Sequence, residues 1–211
     1  MPYASVNGAE LYYEIHGQGT PLVLSHGGWT DTTHWAPNLP ALSRRWQVVT
    51  YDRRGCGRSQ APAESHSWET WRDDLRGLLE HLGIDRAYVG GCSYGALLSL
   101  ELALHRPEMV MALVLESGTP DGISGSGAGL VPFPGRAGDL QRISVPTLII
   151  QGEHDPFWPP AVAERLQRGI AGSELVVVAG AGHVPHLDDP ELFNRTVESF
   201  LSRVGSDCPA R

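Results

Sequence analysis

A single serine placed between a buried strand and a helix constrains this chain more than any other feature. Gly91-Cys92-Ser93-Tyr94-Gly95 follows the apolar run Ala87-Tyr88-Val89-Gly90 and precedes Ala96–Leu104, whose pattern is helical. Strand, sharp turn and helix with Ser at the apex make a hydroxyl a nucleophile, because the turn strains the Ser backbone and lifts its oxygen clear of the sheet. Gly91 and Gly95 lack a Cβ, so strand and helix can approach closely enough for such a turn. The five-residue pattern alone is weak: residue frequencies give roughly 0.2 chance matches in a chain of this length. Its flanks make it informative.

Two further groups strengthen the reading. After the apolar run Thr147-Leu148-Ile149-Ile150 comes Gln151-Gly152-Glu153-His154-Asp155-Pro156. After Leu175-Val176-Val177-Val178, read as another buried strand, comes Ala179-Gly180-Ala181-Gly182-His183. Each polar group lies just past the C-terminal end of its strand, the edge where open parallel sheets place their sites. Ser alone is a weak nucleophile at neutral pH; His183 can act as its general base, and Asp155 can fix the His183 tautomer and stabilise the imidazolium.

Five motifs in order resemble the α/β-hydrolase superfamily, in its esterase, enol-lactonase and perhydrolase-like branch, over nearly the whole chain. They are Ser25-His26-Gly27-Gly28-Trp29 after strand Leu22-Val23-Leu24, the turn Asp52-Arg53-Arg54-Gly55-Cys56-Gly57-Arg58-Ser59, the elbow around Ser93, Gly152 to Asp155, and Gly180 to His183. The chain order Ser93, Asp155, His183 is the order of that superfamily and differs from other serine-hydrolase orders. The resemblance implies a mostly parallel, doubly wound sheet flanked by helices. It implies an oxyanion hole from the backbone N–H of Tyr94 and of Gly28, with Trp29 in reserve. It also implies that the turn at Arg53-Arg54 is structural, with Arg54 buried or bridging, rather than a phosphate site.

The chain's 211 residues suffice for one domain with a sizeable core, and 1–211 is read as one. The net charge is −8, and every basic residue is Arg, which disfavours nucleic acid as a partner. No run of 18 apolar residues predicts a membrane span, and the start lacks a signal-like pattern, so a cytoplasmic location is expected. Three Cys, at 56, 92 and 208, make a disulfide framework unexpected. Cys92, one residue before the apex, reads as a small buried side chain rather than a rival nucleophile.

Along the chain, Ala9 to Gly17 reads as an early antiparallel strand and Thr33 to Leu42 as a helix interrupted by Pro37 and Pro40. Ser67 to Leu82 is a strongly amphipathic helix stopped by Gly83. Val110 to Leu115 is a buried strand, and Pro159 to Ile170 a helix. Asp189-Pro190-Glu191 starts a final helix, with Asp as cap and Pro at the first position. Between Asp121 and Gly138, six of 18 residues are Gly, and neither helix nor strand is expected. In the resembled superfamily this junction commonly carries a helical cap. Here the segment is too short for one, whether the chain is naturally lidless or a deletion closed by the linker-like stretch 124–129. The stretch 122–129 is expected to be the most mobile part of the chain.

The expected chemistry is hydrolysis of a small carboxylic ester through an acyl-Ser93 intermediate, with no metal and no organic cofactor. Glu153, Glu116 and Asp121 are rivals to Asp155, and His186 is a rival to His183. Trp29, Phe157 and Trp158 are expected to touch substrate, with Trp35 and Phe133 as further rim candidates. Enol-lactonase, perhydrolase and C–C hydrolase activities share the same triad and stay open. So do a non-catalytic binding module and a scaffold inactivated by loss of its cap, because fold alone does not fix function. The sequence does not set the oligomeric state.

Overall fold

The computed structural model describes residues 2–61, 66–124 and 131–206. Residues 125–130, the centre of the Gly-rich stretch, and Cys208 lie outside the described residues, as does most of the mobility expected for 122–129. The strands are β1 (Tyr3–Val6), β2 (Ala9–His16), β3 (Pro21–Ser25), β4 (Gln47–Tyr51), β5 (Ala87–Cys92), β6 (Val110–Glu116), β7 (Thr147–Gly152) and β8 (Glu174–Val178). The helices are α1 (Leu39–Leu42), α2 (Trp68–His81), α3 (Tyr94–His105), α4 (Pro160–Gly169), α5 (Pro185–Asp188) and α6 (Pro190–Ser206).

All eight strands form one sheet in the order β1-β2-β4-β3-β5-β6-β7-β8. β1 and β2 are antiparallel to their neighbours, and β3 to β8 run parallel. The order reverses between β3 and β5, since β3 is followed outward by β4 on one side and by β5 on the other. Such a switch point opens a crevice at the carboxyl ends of the strands. Its floor is in register there: Ser25 pairs with Gly91, and Cys92 with Glu116.

The central strands are apolar on both faces because helices cover both. On one face Trp68, Trp71, Leu75 and Leu78 of α2 pack with α3 and α4. On the other, Trp35 and Leu42 meet Phe193, Val197 and Phe200 of α6. α3 has no polar stripe to speak of; all but its last residue is buried, so it is a core helix rather than a surface one.

Local chemistry sets most boundaries. Ser67 Oγ accepts from the Thr70 N–H (3.1 Å) to cap α2, and Gly83 follows it in the left-handed region at φ 67. Asp189 Oδ1 accepts from Leu192 N–H (2.9 Å) to cap α6. The 33–42 helix is corrected: it breaks around Pro37 into a 3-10 turn (Thr32–Trp35) and the single turn α1, which takes Pro40 in its first turn. β8 is an edge strand, with Val177 44% exposed, rather than a buried one. The 121–138 segment folds back on itself, with Ile123 and Phe133 exchanging both backbone hydrogen bonds (2.8 and 3.0 Å).

The turn after β4 is structural. Asp52 accepts from the N–H groups of Thr32 and Arg58 (2.7 Å each). Arg54 grips both oxygens of Asp74 on α2 (2.7 Å each) and donates to the Asn7 carbonyl (2.9 Å), joining three parts of the chain. The pair is 2% exposed on each side. Removing one member of a buried pair strands the other charge. Asp74→Ala is therefore expected to destabilise the chain by about 3 kcal/mol in urea unfolding. A loss below about 1 kcal/mol would mean that water or another group already neutralises Arg54.

Candidate active site

Ser93 occupies the apex foreseen for it. Its backbone sits at φ 56, ψ −115, a region that costs a non-Gly residue on the order of 1–3 kcal/mol. Two hydrogen bonds hold it there: Ser93 N–H to the Glu116 carbonyl (2.9 Å) and Leu97 N–H to the Ser93 carbonyl (3.1 Å). The flanking glycines are required by space. A Cβ at Gly95 would overlap the Ser25 carbonyl oxygen, and one at Gly91 would overlap the Gly95 backbone.

Asp155 follows β7, and His183 follows β8. His183 Nδ1 lies 2.8 Å from Asp155 Oδ2. An ionised carboxylate only accepts, so the proton is on Nδ1 and the Nε2 lone pair is free to act as a base. Asp155 is fixed in turn: Gln151 Nε2 donates to Oδ2 (2.8 Å), and the N–H groups of Phe157 and Trp158 donate to Oδ1 (2.8 and 3.1 Å). Burial acts to raise the Asp155 carboxyl, but the hydrogen bonds from His183, Trp158 and Phe157 outweigh it and hold the group below its ordinary range. The rings of Phe157 and Trp158 stand edge-on to the imidazole, at 4.8 and 5.1 Å.

Ser93 and His183 line one cavity of about 470 Å³ together with Gly28, Trp29, Tyr94 and Trp158. Its walls are mainly apolar, and its mouth carries Trp29 and Phe157, 75% and 68% exposed. Trp29 is itself held at φ 54, which turns the chain sharply after Gly28. Among the described residues, the N–H groups of Gly28, Trp29 and Tyr94 meet no acceptor, whereas that of Gly27 points to His34 Nδ1 (3.4 Å). For Tyr94 this follows from its place at the start of α3. The Gly27 carbonyl accepts from Arg53 Nη2 (2.6 Å) and from His26 Nδ1 (2.7 Å), which anchors the loop.

The rivals have other duties. Glu116 accepts from the backbone N–H of His186 (2.7 Å) and meets its Nδ1 at 2.6 Å. His186 also donates from Nε2 to the His34 carbonyl (3.0 Å) and stacks on Trp35 at 4.1 Å. Asp121 pairs with Arg165, and the exposed Glu153 accepts from Gly180 N–H (2.9 Å). Cys92 is fully buried behind the apex. Cys92, Glu116 and His186 form the one three-residue set of metal-type side chains among the described residues. The donor atoms of Glu116 and His186 are already committed to each other and to the backbone.

Two rim expectations are corrected. Trp35, 1% exposed, is in the core under α6, and Phe133, 2% exposed, packs against Trp68 at 4.9 Å. Each is an aromatic near a loop, yet apolar partners draw it inward. Conversely His34, Ile123 and Val184 line the cavity without having been foreseen. Burial, with His186 beside it, lowers His34 to about 3, so it is a neutral wall. The sequence carried a signal for His34 only in its position one residue before Trp35.

A family model described as "alpha/beta hydrolase fold" matches residues 20–135, and another, "Alpha/beta hydrolase family", matches 124–196. The chain belongs to the α/β-hydrolase family. Similar proteins include "Putative carbamate hydrolase RutD" from Azorhizobium caulinodans, 29% identical over 263 aligned positions that cover 97% of this chain and 99% of that protein. Those 263 positions against 211 residues leave at least 52 with no counterpart in this α/β-hydrolase. The enol-lactonase from Burkholderia xenovorans superposes with a TM-score of 0.88 at 27% identity, covering 95% of this chain and 100% of that one. A thermophilic esterase from Thermogutta terrifontis shares the fold, with a TM-score of 0.88 at 23% identity over 96% and 98% of the two chains. Among the described residues no helix is long and apolar enough to cross a membrane.

The lowered Asp155 carboxyl makes a prediction about stability. As pH falls, the unfolded chain takes up this proton before the folded chain does, so the stabilisation present above the ordinary carboxylate pKa is lost on acidification. Between about pH 6 and pH 3, urea midpoints of the wild type should fall more steeply than those of Asp155→Asn, which lacks the titrating group. Parallel curves would mean that the Asp155 hydrogen bonds do not favour its ionised form.

Proposed function

We propose that this hydrolase cleaves carboxylic esters through an acyl-Ser93 intermediate. The observation that carries the reading is the 2.8 Å Asp155–His183 contact, which leaves a basic Nε2 in the cavity that Ser93 lines. Ser93 Oγ attacks the ester carbonyl carbon while its proton passes to His183 Nε2. The charge that develops on the carbonyl oxygen is met by the free N–H groups of Gly28 and Tyr94, with Trp29 N–H as the alternative to Gly28. His183 then gives its proton to the departing alkoxide. In the second half it takes a proton from water, which attacks the acyl carbon, and returns that proton to Ser93 Oγ as the acid departs. Atoms and charge balance without a metal or an organic cofactor.

The mouth favours short, activated esters with bulky alcohols. Trp29 and Phe157 are too exposed to enclose a long acyl chain, and an open site excludes water poorly, which weakens charge stabilisation. A carbamate is the second reading, because the similar protein from A. caulinodans is named for one. The same attack on a carbamate carbonyl would release an amine or ammonia instead of an alcohol.

Ser93→Ala should abolish 4-nitrophenyl ester hydrolysis and fluorophosphonate labelling while keeping the wild-type circular dichroism. More than a few per cent of residual turnover would remove Ser93 from the mechanism. Asp155→Asn should cost about 10⁴ in turnover by offering His183 the wrong tautomer. Glu116→Gln should cost far less, and equal losses would move the acid role to β6. A folded wild type that neither labels nor turns over esters or carbamates would instead indicate a binding module or a scaffold inactivated with its cap.

A further inference from the structure

A second cavity of about 370 Å³ shares the wall formed by Gly28, Trp29, Thr30 and Tyr94 with the cavity of Ser93. Arg53 lines it and is 3% exposed. Its neighbour Arg54 is matched by Asp74, but among the described residues no carboxylate pairs with Arg53. Of the Arg53 guanidinium donors, only Nη2 finds an acceptor, the Gly27 carbonyl at 2.6 Å, and Nε is buried with none. The guanidinium also lies over two rings, Trp71 at 4.9 Å and Tyr94 at 5.6 Å.

Among the described residues no carboxylate oxygen contacts this cation. Burial raises the Cys56 thiol and the hydroxyls of Tyr51 and Tyr94, which keeps all three protonated. Burial lowers the adjacent His26 well below its ordinary value, so it adds no second charge. Asp31, also on the wall, is engaged by the N–H and hydroxyl of Thr33. A guanidinium stays charged in proteins, and a buried charge without a partner is costly. One unpaired Arg between aromatic rings suits a single planar carboxylate, which can take two parallel N–H bonds.

We propose that this cavity is a carboxylate subsite, and that the preferred substrates are esters whose acyl part ends in a free carboxylate. The inference rests on the esterase reading above. The carboxylate would lie against Arg53 while the ester carbonyl reaches Ser93 across the shared wall. Gly28 makes that wall low, since even a Cβ there would meet only open space.

The test compares mono-4-nitrophenyl esters of succinate, glutarate and adipate with methyl-ended 4-nitrophenyl esters of matched length. The wild type should show kcat/KM at least about tenfold higher for one of the acid-bearing esters, in line with a charged hydrogen bond. Because Arg53 also holds Gly27, Arg53→Gln should slow both substrates, so the readout is their ratio, which should fall to one or below. Arg53→Lys should keep an intermediate preference. Hydrolysis of both series by the wild type with no preference at any length overturns the subsite and leaves the esterase reading intact. If neither series is hydrolysed, the esterase reading fails and glutarate binding followed by tryptophan fluorescence decides the subsite. A saturable change lost in Arg53→Gln, and kept in part by Arg53→Lys, supports it; no change in the wild type overturns it.

Discussion

The close approach of α3 to β3 is the constraint on which the rest depends. Gly95 sits so near the Ser25 carbonyl that no side chain fits, and Gly91 is equally confined by Gly95. That proximity forces the intervening Ser93 into the left-handed region and points the start of α3 at the crevice. The burial of α3 on every side follows from the same approach, because a helix set this deep has no face left for water. The cost of the strained Ser93 backbone is absorbed by the core on both sides of it.

The parts of the fold legible in the sequence are those where one physical signal dominates. Short all-apolar runs mark strands covered on both faces, and the α2 pattern is periodic enough to place it within a residue. The positions of Ser93, Asp155 and His183 were legible for a different reason: each follows an apolar run closely, so its distance from the strand end is fixed by the chain itself. The short β1 and the single-turn α5 were not foreseen, since four residues carry too little periodicity to detect. Trp35 and Phe133 misled because an aromatic near a loop reads the same whether it turns in or out. Both turn inward: Trp35 stacks on His186 on one face of the sheet, and Phe133 packs against Trp68 on the other. His34 and Val184 reach the cavity through tertiary contacts that no local pattern encodes.

The 121–138 segment is anchored rather than loose at its described ends. Ile123 and Phe133 pair, the Phe133 ring is buried, and Trp68 Nε1 donates to the Pro132 carbonyl (3.0 Å). These contacts bring the segment down onto α2 and leave Trp29 and Phe157 facing water. The walls below are correspondingly stiff: Arg53 and His26 clamp the Gly27 carbonyl, and three donors besides His183 grip Asp155.

The Glu116–His186 pair carries a consequence of its own. A carbonyl can only accept, so the bond from His186 Nε2 to the His34 carbonyl fixes one proton on that nitrogen. A single proton then lies between Nδ1 and Glu116, and wherever it resides the pair as a whole is neutral. The pair therefore works as an uncharged rivet through β6, α5 and the turn at His34, directly beneath the serine. With that much of the backbone pinned, differently shaped substrates must be accommodated by rotation of the two exposed rings at the mouth rather than by breathing of the loops. The freedom left at this mouth is that of the exposed Trp29 and Phe157 side chains, above a hydrogen-bonded floor.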